Sequence, residues 1–223
     1  MSRSVWLPLG AVVLIVNAVQ WVVSEAVAAA AWTDPPYSYA RNYISDLGVP
    51  DCGVVFQDRV ICSPEHTLMN TSFILQGILF AIGVLLIAQA VSGRKRTIAR
   101  SLAVAHAVGF ALVGVFHGSE DGPSYGLALH MIGAGIAIVG ANSLLIMAGT
   151  LRSPRPARPY RIFSITVGVL GLLSLCLVGV SADLAGVFER ASVYAWLLWS
   201  VVTGGLLLAG RLRSPVVVEN VTV

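Results

Sequence analysis

Charge is what this sequence has least of. Only 11% of its 223 residues are Asp, Glu, Lys or Arg, where ordinary soluble domains carry about a quarter. A water-soluble globule of this size could not cover its surface with so few charges. A chain that is 57% hydrophobic is not disordered, collagenous or coiled-coil either. Three cysteines are too few for a disulfide-dense secreted scaffold. Ten-residue segments of alternating polarity are missing, which excludes a transmembrane β-barrel, and no internal repeat is detectable. What remains is a mean hydropathy of +0.83 gathered into long apolar runs, the signature of an integral membrane protein.

A helix needs about 20 apolar residues to cross the hydrocarbon. Six stretches meet or approach that length, at about 5–31, 67–92, 101–117, 127–150, 162–181 and 193–210. The fold class expected is therefore all-α, a six-helix transmembrane bundle forming one domain over 1–223. Charge sets the expected orientation. With the N-terminus inside, eleven of the fourteen basic residues fall on the cytoplasmic side, against three bases and nine acids outside. The positive-inside rule then places both termini in the cytoplasm and the protein in the cell membrane. Arginines at span ends are topology signals and lipid contacts, so the expected partners are membrane lipids and not nucleic acid. Met1-Ser-Arg, an apolar run and Ala29-Ala30-Ala31 resemble a signal peptide. That run is longer than a usual signal core and is interrupted by Asn17, Gln20 and Glu25, so the first span is expected to stay, with five spans as the alternative. Gly133, Ala137 and Ala141 form a small-residue row in the fourth span, suited to close packing within the chain; oligomeric state is not legible. Residues 151–161 are the most linker-like piece, a possible divide before the last helical pair.

The largest extramembrane segment, 32–66, holds Cys52 and Cys62. The expected topology puts it in an oxidising space, where these two should form a disulfide stapling the outer loop between helices 1 and 2. Cys176 lies within a span and is expected to be inert packing. His66, His117 and His130 fall near the outer ends of their spans, with Asp46, Glu65, Glu120 and Asp121 in the same layer. Three histidines are the residue types of a catalytic zinc site with an open position. Against zinc stands the lack of any HExxH pair or comparably tight spacing. Haem would need facing ligands at matched depth, for which only His117 and His130 are available. No cofactor is expected, zinc being the one ion the residue types suit. His106 is eleven residues before His117, about 16 Å along a helix, and so belongs to a different level. Glu25 is an intramembrane acid and needs a partner, for which Arg41 and Arg190 are the candidates.

Four stretches together resemble a known family. They are Tyr37-Ser-Tyr-Ala-Arg-Asn-Tyr-Ile-Ser-Asp-Leu-Gly48, Ser63-Pro-Glu-His-Thr-Leu-Met-Asn70, Gly114-Val-Phe-His-Gly118 with Leu129-His130, and Gly186-Val-Phe-Glu-Arg190 followed by Tyr194 and Trp196. The chain is similar over nearly its whole length to the prokaryotic membrane family called domain of unknown function 998. That resemblance implies six helices and a membrane location but no agreed activity. It points to Asp46, His130 and Glu189-Arg190 as the carried-over positions, with a site built around His117 peculiar to a subgroup. The function expected is a multi-pass membrane protein of unknown biochemical role, for which an outward polar site lined by Glu25, Asp46, His117, His130 and Arg190, with Glu189 beside it as a binding or ion-pair residue, offers a place for a lipid head group. One alternative is a membrane-embedded metal-dependent hydrolase or lipid-modifying enzyme, with Asp46, His117 and His130 catalytic and His66, His117 and His130 as metal ligands. That alternative resembles the ceramidase-like superfamily in residue types only. A small transporter subunit is the second alternative; the scarcity of charge at mid-span speaks against it.

Overall fold

The computed structural model of the protein describes residues 5–119, 123–151 and 158–212. Six helices in it are long and apolar enough to cross a membrane. They are α1 (Trp6–Ala31), α2 (His66–Ile87), α3 (Gly93–Val115), α4 (Gly126–Gly149), α5 (Arg158–Leu177) and α6 (Ala185–Leu208), with a hairpin of β1 (Cys52–Phe56) and β2 (Arg59–Cys62) between α1 and α2. Helices satisfy their own backbone hydrogen bonds, which is the condition for lying in lipid.

Each helix packs on its neighbours in sequence, and α6 also packs on α1, so the six close into a ring; α4 and α6 touch across it. The ring has a hairpin end, which carries the β-hairpin, and a basic end, which carries Arg94, Lys95, Arg96, Arg158 and Arg211. Apolar side chains face outwards as well as inwards. On α1, Val12, Val16, Val19 and Val23 are exposed, while Leu14, Asn17, Trp21 and Glu25 are buried. A surface of this kind is matched to lipid, with the polar groups turned into the bundle. The helices approach closely at small residues. A β-carbon on Gly133 would lie 2.7 Å from the Gly109 carbonyl oxygen, so the small-residue row of α4 packs against α3 within the chain.

Two helices begin earlier than the apolar pattern indicates. Helix α3 starts at Gly93, not near 101, because its basic first turns bond to neighbouring backbone. Lys95 Nζ donates to the Thr150 carbonyl at 2.7 Å, just past the end of α4, and Arg96 donates to the Val91 and Gln89 carbonyls. Cations at helix C-termini are favourable there. Helix α6 starts at Ala185, not near 193, and so carries Glu189 and Arg190 within its length. The apolar pattern misses its beginning because these two charges interrupt it. Helix α3 ends at Val115, so His117 lies in the loop beyond it. Most of the linker-like segment 151–161 falls outside the described residues, as do Glu120 and Asp121. Its last part opens α5, and the α5–α6 pair is packed on α4 and α1.

Cys52 and Cys62 face each other across the hairpin and are joined by a disulfide. Gln57 and Asp58 make the turn, with φ of 49° and 61°, the mirror-image turn that suits strand twist. Cys176, expected to be packed inside, is exposed on α5. The face that α5 turns inwards is made of Ser164, Gly168 and Gly171.

Candidate functional site

The long connection between α1 and α2 folds over the hairpin end, and two buried arginines hold it there. Arg190, on the second turn of α6, donates from Nε to Glu25 Oε1 of α1 at 2.9 Å. Its Nη1 donates to the Tyr39, Asn42 and Gly186 carbonyls at 2.8, 2.9 and 3.1 Å, and its Nη2 donates to the Tyr37 hydroxyl. The second Glu25 oxygen accepts from Trp21 Nε1 at 3.1 Å and from the Tyr194 hydroxyl at 2.9 Å. Both charges are thus paired and hydrogen bonded, the condition under which buried ions are tolerated. A β-carbon on Gly186 would stand 2.7 Å from the Tyr39 carbonyl oxygen, so the loop can lie against α6 only because that residue is glycine. Tyr37 gives its own hydrogen to the Tyr43 carbonyl at 2.9 Å. Burial pushes its phenol well above the usual range, against the pull of Arg190, so it stays neutral.

The second arginine is Arg59, on β2. It holds Asp46 through Nε at 2.9 Å and Nη2 at 3.3 Å, a two-pronged pair in which both side chains are almost fully buried. Asp46 also accepts from the Tyr43 amide at 3.0 Å and Asn42 Nδ2 at 3.2 Å. The Arg59 guanidinium lies 4.3 Å over the Tyr43 ring. Asp46 therefore has Arg59 as its partner, and Arg190 is taken by Glu25. Arg41, the other base considered for Glu25, reaches Asp183 at 3.5 Å on the surface.

Glu189 directly precedes Arg190, and one residue is about 100° of helix rotation. The two charges consequently face different ways. Arg190 serves the α1 interface, whereas Glu189 lines a cavity of about 490 Å³ beneath the hairpin. One Glu189 oxygen accepts the Ile44 amide, and no described cationic side chain lies within 4 Å of the carboxylate. His130 lines the same cavity and is only 6% exposed. Its Nδ1 is 2.8 Å from the Phe116 carbonyl oxygen, which can only accept, so Nδ1 carries a proton. Tyr43, Ser45, Asp46 and Gln57 complete the polar end. The remaining walls are apolar: Trp21, Phe73 and Phe110 form a floor, Val54, Val55 and Phe56 a roof, and Met131, Leu175 and Val178 a flank between α4 and α5. Among the described residues no lysine or arginine lines this cavity.

The residues expected at one polar site are thus divided. Asp46, His130 and Glu189 share the cavity; Glu25 and Arg190 form the adjoining structural pair and do not line it. His66 bonds through Nδ1 to the Ser63 carbonyl at 3.1 Å at the start of α2, and the buried His117 Nδ1 has no partner among the described residues. Neither lines the cavity. Among the described residues no group of three His, Cys, Asp or Glu side chains is placed to hold a metal ion. Arg59 and Tyr43 are the site residues that spacing does not reveal. The one signal for Arg59 is its place as a lone base between the two cysteines.

No curated protein and no solved structure is significantly similar to this chain. A family model does match it, over residues 14–205, which takes in α2 to α5, most of α1 and α6, the hairpin and the cavity. The chain belongs to the family described as "Protein of unknown function (DUF998)".

Proposed function

We propose that this protein is a multi-pass cell-membrane protein that binds an amphiphile, with the tail against the aromatic floor and the head group among Tyr43, Asp46, His130 and Glu189. The observation that carries this reading is the two-part lining of the cavity, apolar on floor, roof and flank and polar at one end. Its volume of about 490 Å³ lies within the range of small-molecule sites. Charge narrows the head group. Asp46 is neutralised by Arg59, no described cationic side chain lies within 4 Å of the Glu189 carboxylate, and no described lysine or arginine lines the space. A phosphate would meet the Glu189 carboxylate with no described base lining the space to receive it, whereas an amine or hydroxyl would donate to that carboxylate. The site therefore suits a head group that donates hydrogen bonds, and a primary amine above all.

The excess of basic residues at the other end supports an orientation with the cavity facing outwards and both termini in the cytoplasm. The flank between α4 and α5, where Met131 is 64% exposed, gives the tail a way in from the lipid. Filling the cavity tests the reading. Gly135 lines it, and a β-carbon there would meet nothing within 4 Å, so the Gly135→Phe side chain starts in open space and extends into the cavity. Protein purified in mild detergent should release a bound amphiphile on organic extraction, seen by mass spectrometry. The Gly135→Phe variant should melt at the same temperature and carry at least about tenfold less of it, the loss expected when about 1.4 kcal/mol or more of binding is removed. Equal amounts on both proteins would contradict the proposal.

A further inference from the structure

One helical turn below the aromatic floor lies a second polar layer. Asn17 is four residues before Trp21, Gln76 three after Phe73, and His106 four before Phe110. Trp196 and Ser200 of α6 stand at the same level. Contacts along the helices fix this register. Gln20 accepts from the Ser72 hydroxyl at 3.0 Å, which sets Asn17 opposite Gln76. The Glu25–Arg190 pair, with Gly204 against Ala11 and Ile15, sets Asn17 opposite Ser200. The His106 ring centroid is 5.3 Å from that of Trp196 and 4.4 Å from that of Phe80. Asn17, Gln76, His106, Trp196 and Ser200 each have 0% exposure. They come from four helices of one closed ring, so they share its interior.

Every side-chain polar atom of this layer except His106 Nδ1 lacks a hydrogen-bond partner among the described residues. Both amide atoms of Asn17, both of Gln76, His106 Nε2, Trp196 Nε1 and Ser200 Oγ are buried without one. A buried polar group left alone costs roughly 1–3 kcal/mol, and native proteins answer such clusters with a bound guest. The chemistry of the atoms specifies that guest. His106 Nδ1 is 2.8 Å from the Ala137 carbonyl oxygen, so it donates there and Nε2 offers a lone pair. Trp196 offers only a donor; Asn17, Gln76 and Ser200 offer both kinds. No carboxylate, lysine or arginine is present to balance an ion. Leu14, Phe80 and Ala103, all fully buried, close the layer towards the basic end. On the other side, Trp21, Phe73 and Phe110 stack with ring centroids 5.3 to 6.2 Å apart.

We infer that this layer is a binding site for water held inside the bundle, separated from the amphiphile cavity by the Trp21–Phe73–Phe110 plug. The inference stands whatever the cavity above it binds. It is tested on the full chain in lipid nanodiscs with 15N-labelled His and Trp. Water cross-peaks to the Trp196 indole N–H, and an Nε2 shift of His106 typical of a hydrogen-bonded lone pair, are the expected results. Phe110→Ala should speed deuterium exchange at the Trp196 indole by about tenfold, because it opens the plug and lowers the cost of local exchange. Gln76→Leu decides the matter a second way. It should lower the melting temperature if Gln76 binds water, and raise it if that amide is truly alone, since an apolar isostere then removes a penalty. A bare lone pair on His106 without water cross-peaks, or a more stable Gln76→Leu protein, would overturn the inference.

Discussion

Arg190 and Glu25 meet at 2.9 Å between α6 and α1, and their pairing leaves Glu189, one residue earlier, as a carboxylate lining the cavity with no described cationic side chain within 4 Å. The same arginine also holds three carbonyls and a phenol of the loop and helix around it. The ion pair therefore builds the site without entering it. Because it closes the ring between the first and last helices, it is also where the fold is most sensitive to a single change.

Arg190→Ala strands the Glu25 carboxylate inside the bundle and frees the loop carbonyls. Removal of one partner of a buried pair costs about 3–5 kcal/mol, so the variant should melt far below the wild type in detergent. Glu25→Gln keeps an oxygen for Trp21 and Tyr194 and should cost less. The double variant Glu25→Gln/Arg190→Met should be more stable than Arg190→Ala, because no unpaired charge remains.

The disulfide ties the two ends of the hairpin, and with it Arg59 on β2, which neutralises Asp46. Peptide mass spectrometry without reductant should recover Cys52 and Cys62 as one linked species. Replacing both by Ser removes a constraint worth about 2–3 kcal/mol for so short a loop. Its effect should appear as weaker ligand retention, with little change in the melting of the six helices.

Reporter fusions test the orientation. Fusions after Ser92 and after Pro154 should read cytoplasmic, and one after Asp121 should read external, from the distribution of basic residues. A cytoplasmic reading after Asp121 would place the cavity on the opposite face.

How much of this is legible in the sequence follows from the physics of each part. The six spans are legible because crossing lipid demands long apolar runs, which composition cannot hide. The start of α6 is not, since Glu189 and Arg190 break the run, and Arg190 is tolerable there through Glu25, 165 residues away, and the loop carbonyls it also holds. That Glu25 needs a base is legible; the choice of Arg190 over Arg41 depends on helix register, which a sequence does not display. The disulfide follows from two cysteines in one loop, but the strands it joins are too short to announce themselves. Asp46 is visible as a turn residue, whereas its pairing with Arg59 arises from the fold of that hairpin. Asn17 and Gln76 read as interruptions in apolar runs, and only the rotation of α1 and α2 shows that both face inwards.

Arg59→Gln tests the charge arrangement from the other side. It leaves Asp46 uncompensated beside Glu189, so binding of a long-chain amine should tighten if the fold holds, and binding of a long-chain alcohol should change little. Far-ultraviolet circular dichroism of the variant checks that the bundle is intact.

The most direct measurement is a binding titration of dodecylamine, dodecanol and dodecyl phosphate against wild-type protein and Glu189→Gln in the same nanodiscs. Wild type should prefer the amine to the phosphate, and Glu189→Gln should lose at least about tenfold in amine affinity, the equivalent of one charge-assisted hydrogen bond, while its alcohol affinity stays unchanged. Equal affinity of wild type for amine and phosphate, or an amine affinity unaffected by Glu189→Gln, would contradict a site organised around that carboxylate.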